Sequence, residues 1–143
     1  MNIFDTMKIS ASALKAQRIR LNVISSNLAN IETTRTPEGG PYRKKNVVFQ
    51  STRLDFGDRL DQETRKGVQG VRVPAIVESN RMPRRVFEPG HPDADSDGYV
   101  AKPDINPVEE MTDMMSATKA YEANANVIKA AKRMALKALE IGR

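Results

Sequence analysis

The apolar residues at the start of the chain recur at the spacing of a helix. They lie three, four or seven positions apart, which is typical of an amphipathic helix with a coiled-coil seam. The seam consists of Ile3, Met7, Leu14, Leu21, Ile24, Leu28 and Ile31. Polar residues, Ser10 and Gln17, interrupt the companion positions. Because residues 1–31 contain neither Gly nor Pro, we predict that they form one helical arm.

A second helical pattern occupies residues 105–143. Asn106 is placed to cap a helix, with Pro107 at its first position and Glu109 in the position of a capping box. Gly142 is placed to end it. The apolar stripe consists of Met111, Met114, Ala117, Tyr121, Ala125, Ile128, Ala131, Ala135 and Ala138. Since alanine buries little area, this face needs a closely fitted partner, and we predict that this C-terminal arm pairs with the N-terminal arm.

The middle segment, residues 32–104, is rich in turns. It holds 7 of the 8 Gly and 7 of the 8 Pro, which interrupt helices and strands. Residues rich in β-branched side chains predict strands at 46–50 and 71–78, with a third candidate at 85–87. We therefore predict a mainly α protein with a small β-rich middle, in which long terminal helices pair as a coiled-coil-like core. The pairing can occur within one chain or between chains, and the pattern leaves both open.

Composition narrows the classes of function. The absence of cysteine excludes disulfides, thiol catalysis and Cys-based zinc sites. No apolar run approaches the roughly 18 residues of a membrane helix. Basic residues break up the apolar stretches near the start of the chain, so we expect no cleaved signal peptide. The net charge of +5 leaves a nucleic-acid-binding helical protein as an alternative, although the basic run Arg43–Lys45 beside Tyr42 is too short to be specific.

Two features of the middle segment are candidates for chemistry. His91, the only histidine, is flanked by Gly90 and Pro92, and no nucleophile motif or phosphate-binding loop accompanies it. We therefore expect no enzyme and no cofactor. The second feature is a D-x-D-x-D-G pattern formed by Asp93, Asp95, Asp97 and Gly98, with Asp104 at the twelfth position.

That acidic pattern resembles a calcium loop with Asp in place of the usual bidentate Glu. Pro92 precedes the first ligand position, and Pro103 stands where an exiting helix begins. The side chain of Asp is also one methylene shorter than that of Glu, which weakens bidentate binding. We favour a solvated acidic turn without a metal, and a calcium-regulated binding module stays an alternative.

Sequence signatures at both ends resemble those of the bacterial flagellar rod and hook proteins. The N-terminal signature of that family, N-x-A-N-x-x-T, is matched by Asn27, Ala29, Asn30 and Thr33. Its paired C-terminal motif resembles residues 108–111 and 121–124. The chain also resembles a small proximal-rod member of the family, in the segments 34–42, 86–95 and 135–143. The resemblance covers essentially the whole chain.

This resemblance implies a structural subunit of the proximal rod in the flagellar basal body. Such proteins are exported unfolded and uncleaved through the flagellar type III export apparatus. They assemble in the periplasmic space into a helical tube that encloses the export channel and transmits torque for motility. The implied partners are further copies, other rod proteins, the export apparatus and a basal-body ring, with no nucleic acid, small-molecule substrate or membrane span.

The resemblance also implies an assembly interface on the two helical arms. Asn27 and Asn30 would cap or bridge the end of the N-terminal helix. The remaining candidate interface residues are Met7, Leu14, Leu21, Ile24, Leu28, Met111, Met114, Tyr121, Ala125, Ile128, Ala135 and Leu139.

Overall fold

A computed structural model of the chain describes residues 3–53 and 69–141. The elements in order are α1 (Ile3–Ala29), β1 (Lys45–Arg53), β2 (Gln69–Glu78), β3 (Arg84–Phe87), β4 (Tyr99–Lys102) and α2 (Pro107–Ile141). Two long terminal helices and a small central region of short strands confirm the predicted fold class. Gly142, which was expected to end α2, lies outside the described residues.

The start of α2 follows the predicted capping pattern. Asn106 Oδ1 accepts a hydrogen bond of 3.0 Å from the backbone N–H of Val108, and Pro107 is the first helical residue. Pro is suited to that position because the first-turn amide it lacks has no partner within a helix. Among the described residues, neither helix is both long enough and apolar enough to cross a membrane.

Within the described residues, four strands form two separate two-stranded sheets, β1 with β2 and β3 with β4. The first three strands were predicted from the sequence, whereas β4 was not. In the second sheet, which is antiparallel, Val86 lies opposite Val100, and Phe87 lies opposite Tyr99. Val100 is buried, and the rings of Phe87 and Tyr99 meet edge to face at 5.3 Å. This side-chain pairing stabilises a short strand whose own pattern is too brief to predict.

The chain divides into two compact units, and each contains part of both long helices. The first unit, here called the terminal unit, comprises the described parts of 1–19, 48–74 and 117–143. The second, here called the junction unit, comprises 20–47 and 75–116.

The two units have different cores. Among the described residues of the terminal unit, the buried hydrophobic ones are Ala16, Ala117 and Ala131. Those of the junction unit are Val23, Ile24, Val100 and Ile105. Alanine lets helix backbones approach closely but contributes little buried area. In the described parts of the terminal unit, the larger apolar side chains of the helices are therefore half-buried or exposed.

Candidate assembly interface and polar junction

The end of α1 is closed by the residues of the N-x-A-N-x-x-T signature. Asn30 Nδ2 donates a hydrogen bond of 2.8 Å to the carbonyl oxygen of Ser26, which also accepts the backbone N–H of Asn30 at 3.1 Å. Thr33 Oγ1 donates to Asn30 Oδ1 at 3.2 Å, and the Thr33 backbone N–H donates to the Asn30 carbonyl at 3.1 Å. The second Asn of the signature is thus a helix cap that its Thr holds in place.

The first Asn of the signature, Asn27, lies at the centre of a buried polar junction and is 1% exposed. Its Nδ2 donates to the Lys45 carbonyl at 2.9 Å and to Glu110 Oε2 at 3.0 Å. Its Oδ1 accepts from the Lys45 backbone N–H at 2.9 Å and from the Tyr42 hydroxyl at 3.1 Å. Both donors and both acceptor sites of the amide are therefore used. One side chain joins α1, the start of β1 and the first turn of α2.

Glu110 carries a carboxylate into this buried junction, where it is also 1% exposed. Lys44 Nζ lies 2.7 Å from Glu110 Oε1 and forms an ion pair with it. The geometry of this contact is not that of a hydrogen bond, and Oε1 accepts no other from the described residues. Oε2 accepts the hydrogen bond from Asn27. An unpaired buried carboxylate is costly, so the ion pair with Lys44 is what makes burial of Glu110 tolerable. A second ion pair, Arg20 with Asp113 at 2.8 Å, joins α1 to α2 nearby.

A second polar cluster ties the chain beyond α1 to the β3–β4 sheet. Lys102 Nζ lies 2.7 Å from Glu88 and 2.9 Å from Glu32. The hydrogen bond from Lys102 lowers the pKa of Glu88 below its usual range. The hydrogen bonds to Glu88 and then Glu32 raise the pKa of Lys102. Both shifts favour the charged forms, so Lys102 and Glu88 stay ionised around neutral pH.

The acidic loop of the calcium-like pattern is organised by the protein's own groups. Asp95 Oδ1 accepts from the backbone N–H groups of Tyr99 (2.8 Å) and Asp97 (3.0 Å), and Oδ2 pairs with Arg85. The Tyr99 amide, with further help from Arg85, lowers the pKa of Asp95. Asp93 accepts from the Thr34 hydroxyl at 2.8 Å. Within 3–53 and 69–141, no three His, Cys, Asp or Glu side chains gather where they could hold a metal.

The other residues singled out for chemistry also make local contacts. His91 Nδ1 accepts from the backbone N–H of Asp93 at 3.1 Å, within a turn. Asp104 lies 3.7 Å from Arg81. Lys45 lies 4.0 Å from a Glu78 carboxylate oxygen. Two of the three cations in the basic run beside Tyr42 therefore lie near carboxylates of the same chain, since Lys44 is paired with Glu110.

The predicted interface residues fall into three classes of exposure. Ile24 and Asn27 are buried. The half-buried ones are Met7, Leu14, Leu21, Leu28, Asn30, Met114, Ala125, Ile128 and Ala135. The exposed ones are Tyr121 (38%), Met111 (57%) and Leu139 (72%). Glu110, the residue of α2 that reaches the junction, was not among the predicted interface residues.

Comparison with known proteins places the chain among flagellar proteins. A family model described as "Flagella basal body rod protein" matches residues 7–35, and one described as "Flagellar basal body rod FlgEFG protein C-terminal" matches residues 96–141. Flagellar basal-body rod protein FlgC of Bacillus subtilis is 43% identical over 100% of both chains. The proteins of the same name from Salmonella typhimurium and Borreliella burgdorferi are 44% and 42% identical, each over 99% of this chain and 97% and 98% of the relative. With such identity over its full length, the chain belongs to the FlgC family of flagellar basal-body rod proteins.

Proposed function

We propose that this protein is a structural subunit of the proximal flagellar rod, without enzymatic activity. It polymerises in the periplasmic space into a helical tube that transmits torque and encloses the export channel. It reaches that place uncleaved, through the flagellar export apparatus, and its neighbours are further copies and other rod proteins. The signatures that resemble those of rod proteins support the assignment as a rod subunit, and so do the names of the chain's relatives.

The observation that carries this proposal is the set of large apolar side chains that the chain leaves uncovered on α2. Met111, Met115, Met134 and Leu136 are each more than half exposed, as is Leu139. Burial of a side chain of this size contributes about 1.5–3 kcal/mol. Contacts with neighbouring subunits that cover several of them would supply a substantial driving force for assembly.

A helical tube needs contacts of a particular kind. Its subunits join through heterologous surfaces, in which one patch meets a different patch on the next subunit without closing a ring. Two long helices with apolar side chains at several angles around their axes offer such surfaces. We propose that segments 1–31 and 105–143 form the inner layer of the tube, around the export channel, with the predicted seams buried within and between subunits. Segment 32–104 then lies outside this layer.

The test is to place a charge on the proposed seam of α2. Tyr121→Asp should block incorporation into the rod, because a carboxylate cannot be buried there without a partner. Ala123→Asp is the matched control, since two positions correspond to about 200° around a helix. Incorporation is measured by mass spectrometry of purified basal bodies from cells that carry either variant. Circular dichroism of the purified proteins checks that both variants keep their helices.

Each outcome of this test bears on a different part of the proposal. If Ala123→Asp is incorporated into basal bodies and Tyr121→Asp is not, the result supports the proposed seam on α2. Normal rods built from Tyr121→Asp contradict it. Intact-mass measurement of the unaltered chain in the same preparations tests the rod assignment itself. A full-length mass supports uncleaved export, and absence of the chain from complete basal bodies refutes a rod subunit.

A further inference from the structure

The buried junction brings an amine, a carboxylate and a carboxamide together. Glu110 offers one oxygen to each neighbour, since Lys44 Nζ lies 2.7 Å from Oε1 and Asn27 Nδ2 donates to Oε2 at 3.0 Å. Asn27 and Glu110 are each 1% exposed, and the side chain of Lys44 is 16% exposed. A nucleophilic type of side chain and an amide therefore lie on the two oxygens of a single carboxylate, largely shielded from water.

The carbonyl oxygen of the Asn27 amide is held by two hydrogen-bond donors. The backbone N–H of Lys45 donates to Oδ1 at 2.9 Å, and the Tyr42 hydroxyl donates to it at 3.1 Å. Fixed donors on a carbonyl oxygen stabilise the negative charge that develops there when a nucleophile attacks the carbon. The amide of Asn27 is thus activated at Cγ, the atom that an amine would attack.

The other oxygen of Glu110, Oε1, lacks a normal partner. It is buried and accepts no hydrogen bond from the described residues, although Lys44 Nζ lies close to it. Buried acceptors of this kind are rare in folded proteins, and a chemical role is one of their explanations. Transfer of a proton from Nζ to Oε1 satisfies the oxygen and removes two charges from a site where burial of charge is costly. It also leaves Lys44 as a neutral amine, which is the nucleophilic form.

We propose that Lys44 and Asn27 react to form an intramolecular isopeptide bond, with Glu110 as the general acid and base. Asn27 Cγ supplies the acyl group, Lys44 Nζ is the nucleophile, and ammonia leaves. The bond joins the end of α1 covalently to the segment that precedes β1. The reaction concerns the folded chain alone and does not depend on the assembly in which the chain takes part.

The reaction balances without an oxidant, a reductant or a further reactant. After a proton has moved from Nζ to Glu110, the lone pair of Nζ attacks Cγ, and the carbonyl electron pair moves to Oδ1. When the carbonyl re-forms, the bond between Cγ and Nδ2 breaks. Glu110 gives its proton to Nδ2 and takes one from Nζ. The products are a secondary amide, neutral ammonia and a protonated Glu110, so the net charge of the group is zero before and after.

An ordinary ion pair elsewhere in the same unit provides a comparison. Lys102 Nζ also lies 2.7 Å from a carboxylate oxygen, that of Glu88, but there it donates a hydrogen bond of normal geometry. The side chain of Glu88 is 38% exposed, and the second neighbour of Lys102 is another carboxylate, Glu32. The contact of Lys44 differs in the burial of its carboxylate, in its geometry and in the amide on the other oxygen. These differences favour reaction at Lys44 and make Lys102 the control.

The reaction requires the folded junction. Glu110 lies 83 positions after Asn27, so the carboxylate reaches the amide only when the start of α2 meets the end of α1. Folding holds the reacting groups together and converts an encounter between distant groups into a reaction within one site. The bond is therefore expected only after folding, and a chain that is kept unfolded stays linear.

The test is intact-mass spectrometry of the purified full-length chain, folded at neutral pH and sampled over several days. The proposal expects a product that is lighter than the sequence mass by one molecule of ammonia. Digestion with trypsin should then give a branched peptide that joins the segments around positions 27 and 44. The same chain held in concentrated urea should keep its sequence mass.

Four variants assign the roles of the groups. Lys44→Arg keeps the positive charge but removes the nucleophile, so the mass loss should disappear. Lys102→Arg is the matched control, because it alters an ion-paired lysine of the same unit, and the mass loss should be unchanged. Glu110→Gln can still accept from the amide but cannot exchange protons, and the loss should slow by about a hundredfold. Tyr42→Phe removes one donor to Oδ1 and should slow it to a similar degree, about a hundredfold.

Several results would overturn the proposal. An unchanged mass of the folded, unaltered chain excludes the reaction. Conversion of Asn27 to Asp would show that water, and not Lys44, attacks the amide. Loss of ammonia that persists in Lys44→Arg would place the chemistry elsewhere. Circular dichroism checks that each variant is folded, and where Glu110→Gln is not, an unchanged rate in folded Tyr42→Phe would refute the proposed activation of the amide.

Discussion

Replacement of Asn27 by Ala tests whether the polar junction stabilises the fold. The amide makes four hydrogen bonds of 2.9–3.1 Å and is almost completely buried. At about 1 kcal/mol for each bond, their loss amounts to about 4 kcal/mol. Ala also removes the Asn27 partner of Glu110 Oε2 and of the Lys45 backbone N–H and carbonyl, in a place that water reaches poorly. A small domain has a total stability of only about 5–15 kcal/mol, so this change should be easy to measure.

The assay is urea unfolding of the purified chain, followed by circular dichroism at the helix signal. Asn22→Ala is the matched control, because Asn22 is exposed on the same helix and Ala is the better helix former. We expect the midpoint of Asn27→Ala to shift far below that of the parent protein and that of Asn22→Ala to stay unchanged or rise slightly. Free energies of unfolding that agree within about 0.5 kcal/mol for the two variants would refute the stabilising role of the junction.

Two further predictions concern the β3–β4 region. Gly98 has a φ of +80°, and a Cβ there would lie 2.9 Å from Phe87 Cε2, so Gly98→Ala should lower the free energy of unfolding by about 1–2 kcal/mol. Gly90→Ala is the control, because a Cβ at that position has open space. Equal melting temperatures for the two variants would contradict the argument. Lys102 lowers the pKa of Glu88, so the stability from this contact is present above the ordinary Glu pKa of 4.5 and lost as pH falls through the lowered value. Urea midpoints between pH 7 and pH 3 should therefore fall less in Glu88→Gln than in the parent, and parallel curves would rule the contact out.

Helices and three strands could be predicted because their signals are local. The cap of α2 needs only Asn106 and Pro107 side by side, and the first three strands are marked by short runs of β-branched residues. The strand β4 is different. It has four residues, Tyr99–Lys102, and it is fixed by pairing with β3 and by burial of Val100, which no local pattern reveals.

The junction could be predicted only in part. The family signature pointed to Asn27 and Asn30 at the end of α1, where the structure has them capping and bridging. Glu110 was missed because an acidic residue in the first turn of a helix usually faces solvent and the positive end of the helix dipole. Its partner Lys44 is distant in sequence. The face of α2 was also ambiguous, because alanine occurs at so many positions that a one-residue rotation of the stripe changes the pattern little.

The hydrogen bond between Asn27 and Glu110 joins residues 83 positions apart, and this separation has a kinetic consequence. When the N-terminus emerges before the rest of the chain, α1 and its Asn30 cap can form early, because those contacts are local. The junction cannot close until α2 has begun, and closure of so long a loop is slow compared with helix formation. In a chain that has not yet reached α2, the side-chain amide of Asn27 therefore lacks its partner Glu110. Emergence of the start of α2, rather than formation of the first helix, is then the event that lets the junction close.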